Sequence, residues 1–167
     1  MKTVTILLLL LLAIPAWAQP WPQTAPRIGN LYLKQEYWGY MKEAAQRYQI
    51  SPFLIQAVCA IESRFDPEAS SGHGRCYGLM QLERGTAKKY GVDARDPRQN
   101  IMGGAAVLAR LLQKYDGNIT KILHVYNATC TPDYVRQVIL AYKQSQRCEP
   151  QTQQLCATSL PSDRFND

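Results

Sequence analysis

Histidine is almost missing from this 167-residue chain, and His73 and His124 stand alone. No C-x-x-C pair or His-rich spacing accompanies them, so neither a metal site nor any cofactor is expected. Sustained apolar/polar alternation is also missing, which argues against a β-rich fold. Lys and Arg are numerous but scattered, with no dense basic stripe interleaved with aromatics, so nucleic acid is a poor partner. No internal repeat or interior domain boundary is visible. Beyond the N-terminus, no run approaches the roughly 20 apolar residues that span a bilayer.

What is there begins with an address. Lys2 precedes an apolar run from Ile6 to Ile14, and Pro15-Ala16-Trp17-Ala18 follows. A basic start, a short apolar stretch and an A-x-A end read as a signal peptide over residues 1–18, cut after Ala18. The run is too short for the rival reading, a membrane anchor. The expectation is an exported chain, periplasmic or secreted, with no stable membrane span after cleavage. What remains is of ordinary single-domain size. The formal net charge of +6, of which Lys2 alone falls in the leader, favours anionic partners such as acidic envelope polymers.

Five cysteines in an exported chain imply disulfides with one thiol left over. Cys59 lies in the most apolar stretch and is read as the free one. Cys148 and Cys156 lie close together in a polar tail and could form a local clip, which leaves Cys76 for Cys130.

Residues 19–30 hold three prolines and read as an extended lead-in. From Leu31 to Tyr48, Tyr37, Met41, Ala44 or Ala45 and Tyr48 recur at helical spacing. Ser51-Pro52 opens a helix that is apolar nearly all round to about Arg64 and therefore belongs inside. Gly85 to Tyr90 predicts a short helix stopped by Gly91. Asp96-Pro97 starts a long one with the stripe Ile101, Ala105, Leu108, Leu112 and Tyr115. Its first half, Gly103 to Ala106, is thin enough to admit another helix. Gly117 ends it, Asn118 caps the next, and Thr131-Pro132 opens a last helix. The expectation is a mainly α domain over residues 31–147, with a polar tail from 148 to 167.

One carboxylate stands out. Glu62 sits near the C-terminal end of the buried helix, where burial and the helix dipole both oppose its ionisation. A carboxylic acid still protonated near neutral pH is what general-acid cleavage of a glycosidic bond requires. The bland alternative is an ion pair with Arg64 or Arg75. A glycosidase working through two carboxylates would also need a second acid, for which Asp66 is the nearest candidate in sequence and Glu83, Asp93 and Asp96 are further ones.

At this point the residues resemble a family. Ile61-Glu62-Ser63-Arg64-Phe65-Asp66-Pro67, Ala69-Ser70-Ser71, Gly78-Leu79-Met80-Gln81-Leu82 with Gly85-Thr86-Ala87, and Val125-Tyr126-Asn127-Ala128 with Tyr134-Val135 resemble the soluble lytic transglycosylases. These are lysozyme-like enzymes that cut peptidoglycan. The likeness covers roughly residues 35–145, in the family's order and spacing. It implies a lysozyme-like helical domain with a substrate cleft. Glu62 falls on the single catalytic acid, which cleaves the MurNAc–GlcNAc bond and closes a 1,6-anhydromuramoyl product. The resemblance places Ser71, Met80, Gln81, Tyr126 and Asn127 on substrate-binding or cleft positions, with the Tyr126 hydroxyl holding Glu62 or the sugar. The nucleophile is the sugar's own C6 hydroxyl, which fits the missing second acid. The small size resembles members that serve secretion, conjugation or pilus systems.

The departures are local. Leu82 is followed by Glu83-Arg84 where the family often has Met-Pro, and Thr129-Cys130-Thr131-Pro132 replaces the usual Gly and acid. Cys76 and Cys130 thus flank the two motifs, and a bond between them would tie the cleft walls. Two rivals stand beside the transglycosylase: a muramidase-like hydrolase using water and Asp66, and a non-catalytic peptidoglycan-binding assembly module.

Overall fold

The computed structural model describes residues 21–71, 73–127 and 131–147. The fold is arranged around α2 (Pro52–Ser63), whose Leu54, Ile55, Ala57, Val58 and Cys59 are buried. A helix apolar on every side has no face to give to water, and the chain surrounds it accordingly. Helix α1 (Gln35–Tyr48) lies against it, burying Tyr37, Trp38, Met41, Ala44 and Ala45. Helix α6 (Pro132–Arg147) packs on α2 through Val135, Val138 and Ala141. Helix α4 (Pro97–Lys114) packs on α1 and buries Ile101, Ala105 and Leu108. The short helices α3 (Arg84–Tyr90) and α5 (Ile119–Tyr126) complete the set among the described residues.

Several of the predicted ends are in place. Asp96 accepts the Gln99 N–H at 2.7 Å and Asn118 accepts the Lys121 N–H at 3.0 Å, both as N-caps. Ser51 precedes Pro52 as expected, but its side chain makes no capping bond. Helix α1 begins at Gln35, four residues later than its apolar spacing suggests. The chain before it has other work: Lys34 is extended, and Ile28 and Leu31 form a small bridge. The lead-in is also strapped down, because the Trp38 indole N–H donates to the Pro22 carbonyl at 2.9 Å and the Gln56 amide to the Pro26 carbonyl at 2.6 Å.

A small antiparallel sheet was not legible in the sequence. Its strands β1 (Ser70–Ser71), β2 (Cys76–Tyr77) and β3 (Leu82–Glu83) pair in that order. Two-residue strands are too short to show alternation.

The two glycines in the thin half of α4 face a turn. A Cβ at Gly104 would lie 2.3 Å from the Met80 sulfur, and one at Gly103 would lie 2.8 Å from Leu82 and Val92 side-chain carbons. The two glycines therefore admit the turn at 78–82 with the loop after α3, while α4 also packs closely on α1. Cys59 is a buried free thiol, as read from its setting. Cys76 is also free, so the structure carries no bond from it; its expected partner Cys130 lies outside the described residues. Cys148, Cys156, the leader over residues 1–18 and the tail also lie outside them. Among the described residues, no helix is long and apolar enough to cross a membrane.

Candidate active site

Glu62 stands one residue before the end of α2. The helix stops there because Arg64 (φ 55°) and Phe65 (φ 65°) both adopt left-handed backbone, turning the chain sharply away. Phe65 is itself buried, which anchors the reversal in the core.

The turn after β2 faces this helix end and is held by side chains from three helices. Ser63 of α2 places its hydroxyl 2.8 Å from the Leu79 carbonyl and 3.0 Å from the Cys59 carbonyl. Asn100 of α4, fully buried, donates to the Tyr77 and Ala94 carbonyls (2.7 and 2.8 Å) and accepts the Met80 N–H at 2.8 Å. Tyr126 of α5 donates its hydroxyl to the Met80 carbonyl at 2.9 Å. The turn's own Gln81 donates to the Ala69 and Gly78 carbonyls, both at 3.0 Å. Gly78 is required where it stands: its φ is +73°, and a Cβ would meet the Asn100 amide nitrogen at 2.6 Å.

From the far side, the Tyr134 hydroxyl at the start of α6 donates to Glu62 Oε1 at 2.6 Å. The Asn127 side chain, at the end of α5, also hydrogen-bonds the carboxyl. Burial raises the Glu62 pKa above the ordinary carboxyl range, while these two hydrogen bonds pull it down and do not cancel the rise. A hydroxyl and an amide meet this acid, so a structural ion pair with Arg64 or Arg75 is not what holds it. Burial pushes the Tyr126 phenol well above its usual 10.0, helped by the Glu62 carboxyl and the Cys59 and Cys76 thiols, so it stays protonated as a donor.

The site residues read from sequence separate into groups. Glu62 and Asn127 come together directly. Tyr126 lies close by, but its hydroxyl serves the Met80 carbonyl rather than Glu62, and the tyrosine that holds Glu62 is Tyr134. The sequence reading quoted Tyr134 in a motif without giving it a role. Met80 is fully buried with its sulfur against Gly104, so its side chain lies beneath the turn's surface. Gln81 braces the turn, and Ser71 is exposed on the edge strand β1. Asp66, the candidate second acid, is exposed and accepts the Glu68 N–H at 2.9 Å. Among the described residues no cluster of His, Cys, Asp and Glu could hold a metal ion.

A helical domain with one partly buried acid, faced by a braced turn and held by a tyrosine and an asparagine, defines a class. The chain belongs to the transglycosylase SLT domain family, whose model matches residues 39–148. Individual relatives agree. The transglycosylase of Enterobacteria phage PRD1 is 40% identical over 95 residues, covering 56% of this chain and 36% of its own. Membrane-bound lytic murein transglycosylase F 1 of Alkalilimnicola ehrlichii is 40% identical over 84 residues, 50% of this chain and 17% of its own. Membrane-bound lytic murein transglycosylase C of Sodalis glossinidius is 35% identical over 115 residues, 60% of this chain and 32% of its own. The matched region thus spans little more than a third of these relatives at most. Among solved structures, an inactive mutant of the lytic transglycosylase Slt from Pseudomonas aeruginosa aligns with 76% of this chain and 25% of its own. Its TM-score is 0.49 and its identity 24%.

Proposed function

We propose that this chain is a peptidoglycan lytic transglycosylase in which Glu62 acts first as acid and then as base. The observation that carries the reading is the state of Glu62: burial raises its pKa, two neutral donors hold it, and no carboxylate is among the groups that shift it. In the acid step the Glu62 proton passes to the glycosidic oxygen between MurNAc and GlcNAc, and the C1–O bond breaks. The resulting carboxylate is held by Tyr134 and Asn127. In the base step Glu62 takes the proton from the muramoyl C6 hydroxyl, whose oxygen bonds to C1. The product is a 1,6-anhydromuramoyl end, Glu62 regains its proton, and no water is consumed. Ser71 and Gln81 are assigned to the substrate face, Ser71 on the exposed rim of β1 and Gln81 beside the turn. Met80 supports that face from below.

Family membership and the names of the relatives support wall cleavage. The reading extends to an exported, periplasmic enzyme that opens the wall locally for an envelope-spanning machine, with a Cys76–Cys130 bond formed on oxidation. Against a hydrolase using Asp66, that carboxylate is exposed and lies in a turn, where it accepts the Glu68 N–H. Digestion of purified peptidoglycan tests the proposal by product mass. Wild type should release ends lighter by one water than reducing ends. Glu62→Gln should lower the rate by about 10³-fold, within the range general acid–base catalysis supplies. Reducing ends from wild type, or unchanged lysis by the variant, would reject it.

A further inference from the structure

Away from Glu62, a surface hollow of about 510 Å³ lies between the last turn of α1, the last turn of α3 and the second half of α4. It shares no residue with the site described above. Three exposed cations line it: Arg47, Lys89 and Arg110. Tyr48, Tyr90 and Gln113 add ring faces and an amide, and no acidic residue contributes to the lining.

Ordinary surface chemistry accounts for part of this arrangement. Arg47 and Lys89 sit in the last turns of their helices, where a cation complements the helix dipole. Arg110 has no such role, because α4 continues past it to Lys114. Local compensation is also missing. Glu43, the carboxylate whose field reaches Arg47, is taken by Arg98, whose Nε donates to Glu43 Oε2 at 2.9 Å while its Nη2 donates to Oε1. Three positive charges therefore converge on one concavity without an acid of their own.

The size and lining select the occupant. A hollow of this volume suits a small ligand or a short peptide, whereas a stable folded partner would cover about 800 Å² per side. Cations ask for carboxylates, while tyrosine rings and the glutamine amide ask for a chain rich in amides and aliphatic carbon. We propose that this hollow is a second wall-binding site that takes the carboxylate-bearing stem peptides of peptidoglycan. The inference rests on the reading of peptidoglycan as substrate. Its consequence is tethering: a chain held by the stem peptides keeps its acid at high effective concentration among neighbouring glycan strands.

The test is a pull-down in which the non-cleaving Glu62→Gln protein binds purified sacculi, compared with bead-immobilised glycan strands freed of their stem peptides by an amidase. The hollow is altered in the same background by Arg110→Glu with Lys89→Glu. Intact sacculi should be bound about tenfold more weakly by the altered protein, and peptide-free glycan weakly and equally by both. Rising salt should shrink the difference. Because both residues are exposed, an unchanged circular dichroism spectrum and unchanged cleavage of a soluble peptide-free glycan, with Glu62 restored, show that fold and site survive. Equal binding of intact sacculi by both proteins would overturn the inference. So would equal binding of peptide-free glycan and intact sacculi by the parent, which would assign wall binding to the glycan. If capture of an acidic protein is lost while sacculus binding is kept, the hollow belongs to a protein partner and the inference also fails. Charge-dependent binding of stem peptides by a wild type that cuts nothing would instead reject the catalytic reading and leave this site standing.

Discussion

Two parts of the molecule face each other across Glu62 and differ in how their backbone is held. The helical side, α1, α2 and α6, is fixed by apolar burial, with Trp38, Met41, Ile55 and Val138 wholly withdrawn from water. The opposing side, from Ser70 to Leu82, also buries Leu79, Met80 and Leu82, but its described strands are two residues long and cannot hold its backbone alone. Side chains with polar ends reach out from the helices to hold its backbone: Ser63, Asn100 and Tyr126. Burial tolerates exchange of one apolar residue for another of similar volume. Hydrogen-bonded braces do not, because deleting one end leaves a buried partner unsatisfied. The substrate-facing wall is therefore the less forgiving of the two.

The largest break should come at Asn100. Asn100→Ala leaves the Tyr77 and Ala94 carbonyls and the Met80 N–H without their partner. At about 1 kcal/mol or more for each group, urea unfolding should register a loss of about 3 kcal/mol. Ile55→Val in the helical core should cost only about 1 kcal/mol in the same assay. Comparable losses would show that the two sides are not held differently.

Tyr134→Phe sharpens the contrast on the catalytic side. The Tyr134 hydroxyl favours the Glu62 carboxylate, so removing it should raise the Glu62 pKa further. The alkaline limb of the pH–activity profile, where Glu62 loses its proton, should then move to higher pH, with a rate loss of about tenfold at the optimum. A lower maximum with an unmoved limb would reduce Tyr134 to packing. Tyr126→Phe is the smallest change. It frees one carbonyl, that of Met80, and should cost about 1 kcal/mol without moving the limb. The two tyrosines thus provide opposite readouts.

Linkage gives a further sign. The Glu62 pKa is raised in the folded protein, so the unfolded chain gives up this proton more readily. Stability from this group is full below the unfolded carboxyl pKa and is lost as pH rises through the folded one. Glu62→Gln, which imitates the protonated form, should therefore raise Tm at neutral pH and change it little in acid.

Long periodic stretches were the legible part of the sequence. Five of the six helices among the described residues start within about two residues of where spacing and caps put them, because amphipathic stripes and Asp, Asn and Pro signals are local. The start of α1 differs because tertiary contacts to the lead-in outweigh its apolar spacing. Glu62 was legible from its place on an apolar helix. Tyr134 was not, since a tyrosine one turn into an amphipathic helix gives no sign that it reaches 72 positions back in the chain. Asn100 offered only a faint signal, a polar residue next to the apolar stripe of α4. Ser63 offered none.

The lead-in sets a boundary on maturation. The Pro22 and Pro26 carbonyls accept from the Trp38 indole N–H and the Gln56 amide nitrogen, both side chains fully buried. A protease cut after Ala18 leaves both acceptors in place. A cut beyond Pro26 would strip them and strand two donors in the core. Trimming past Pro26 should therefore cost this chain stability.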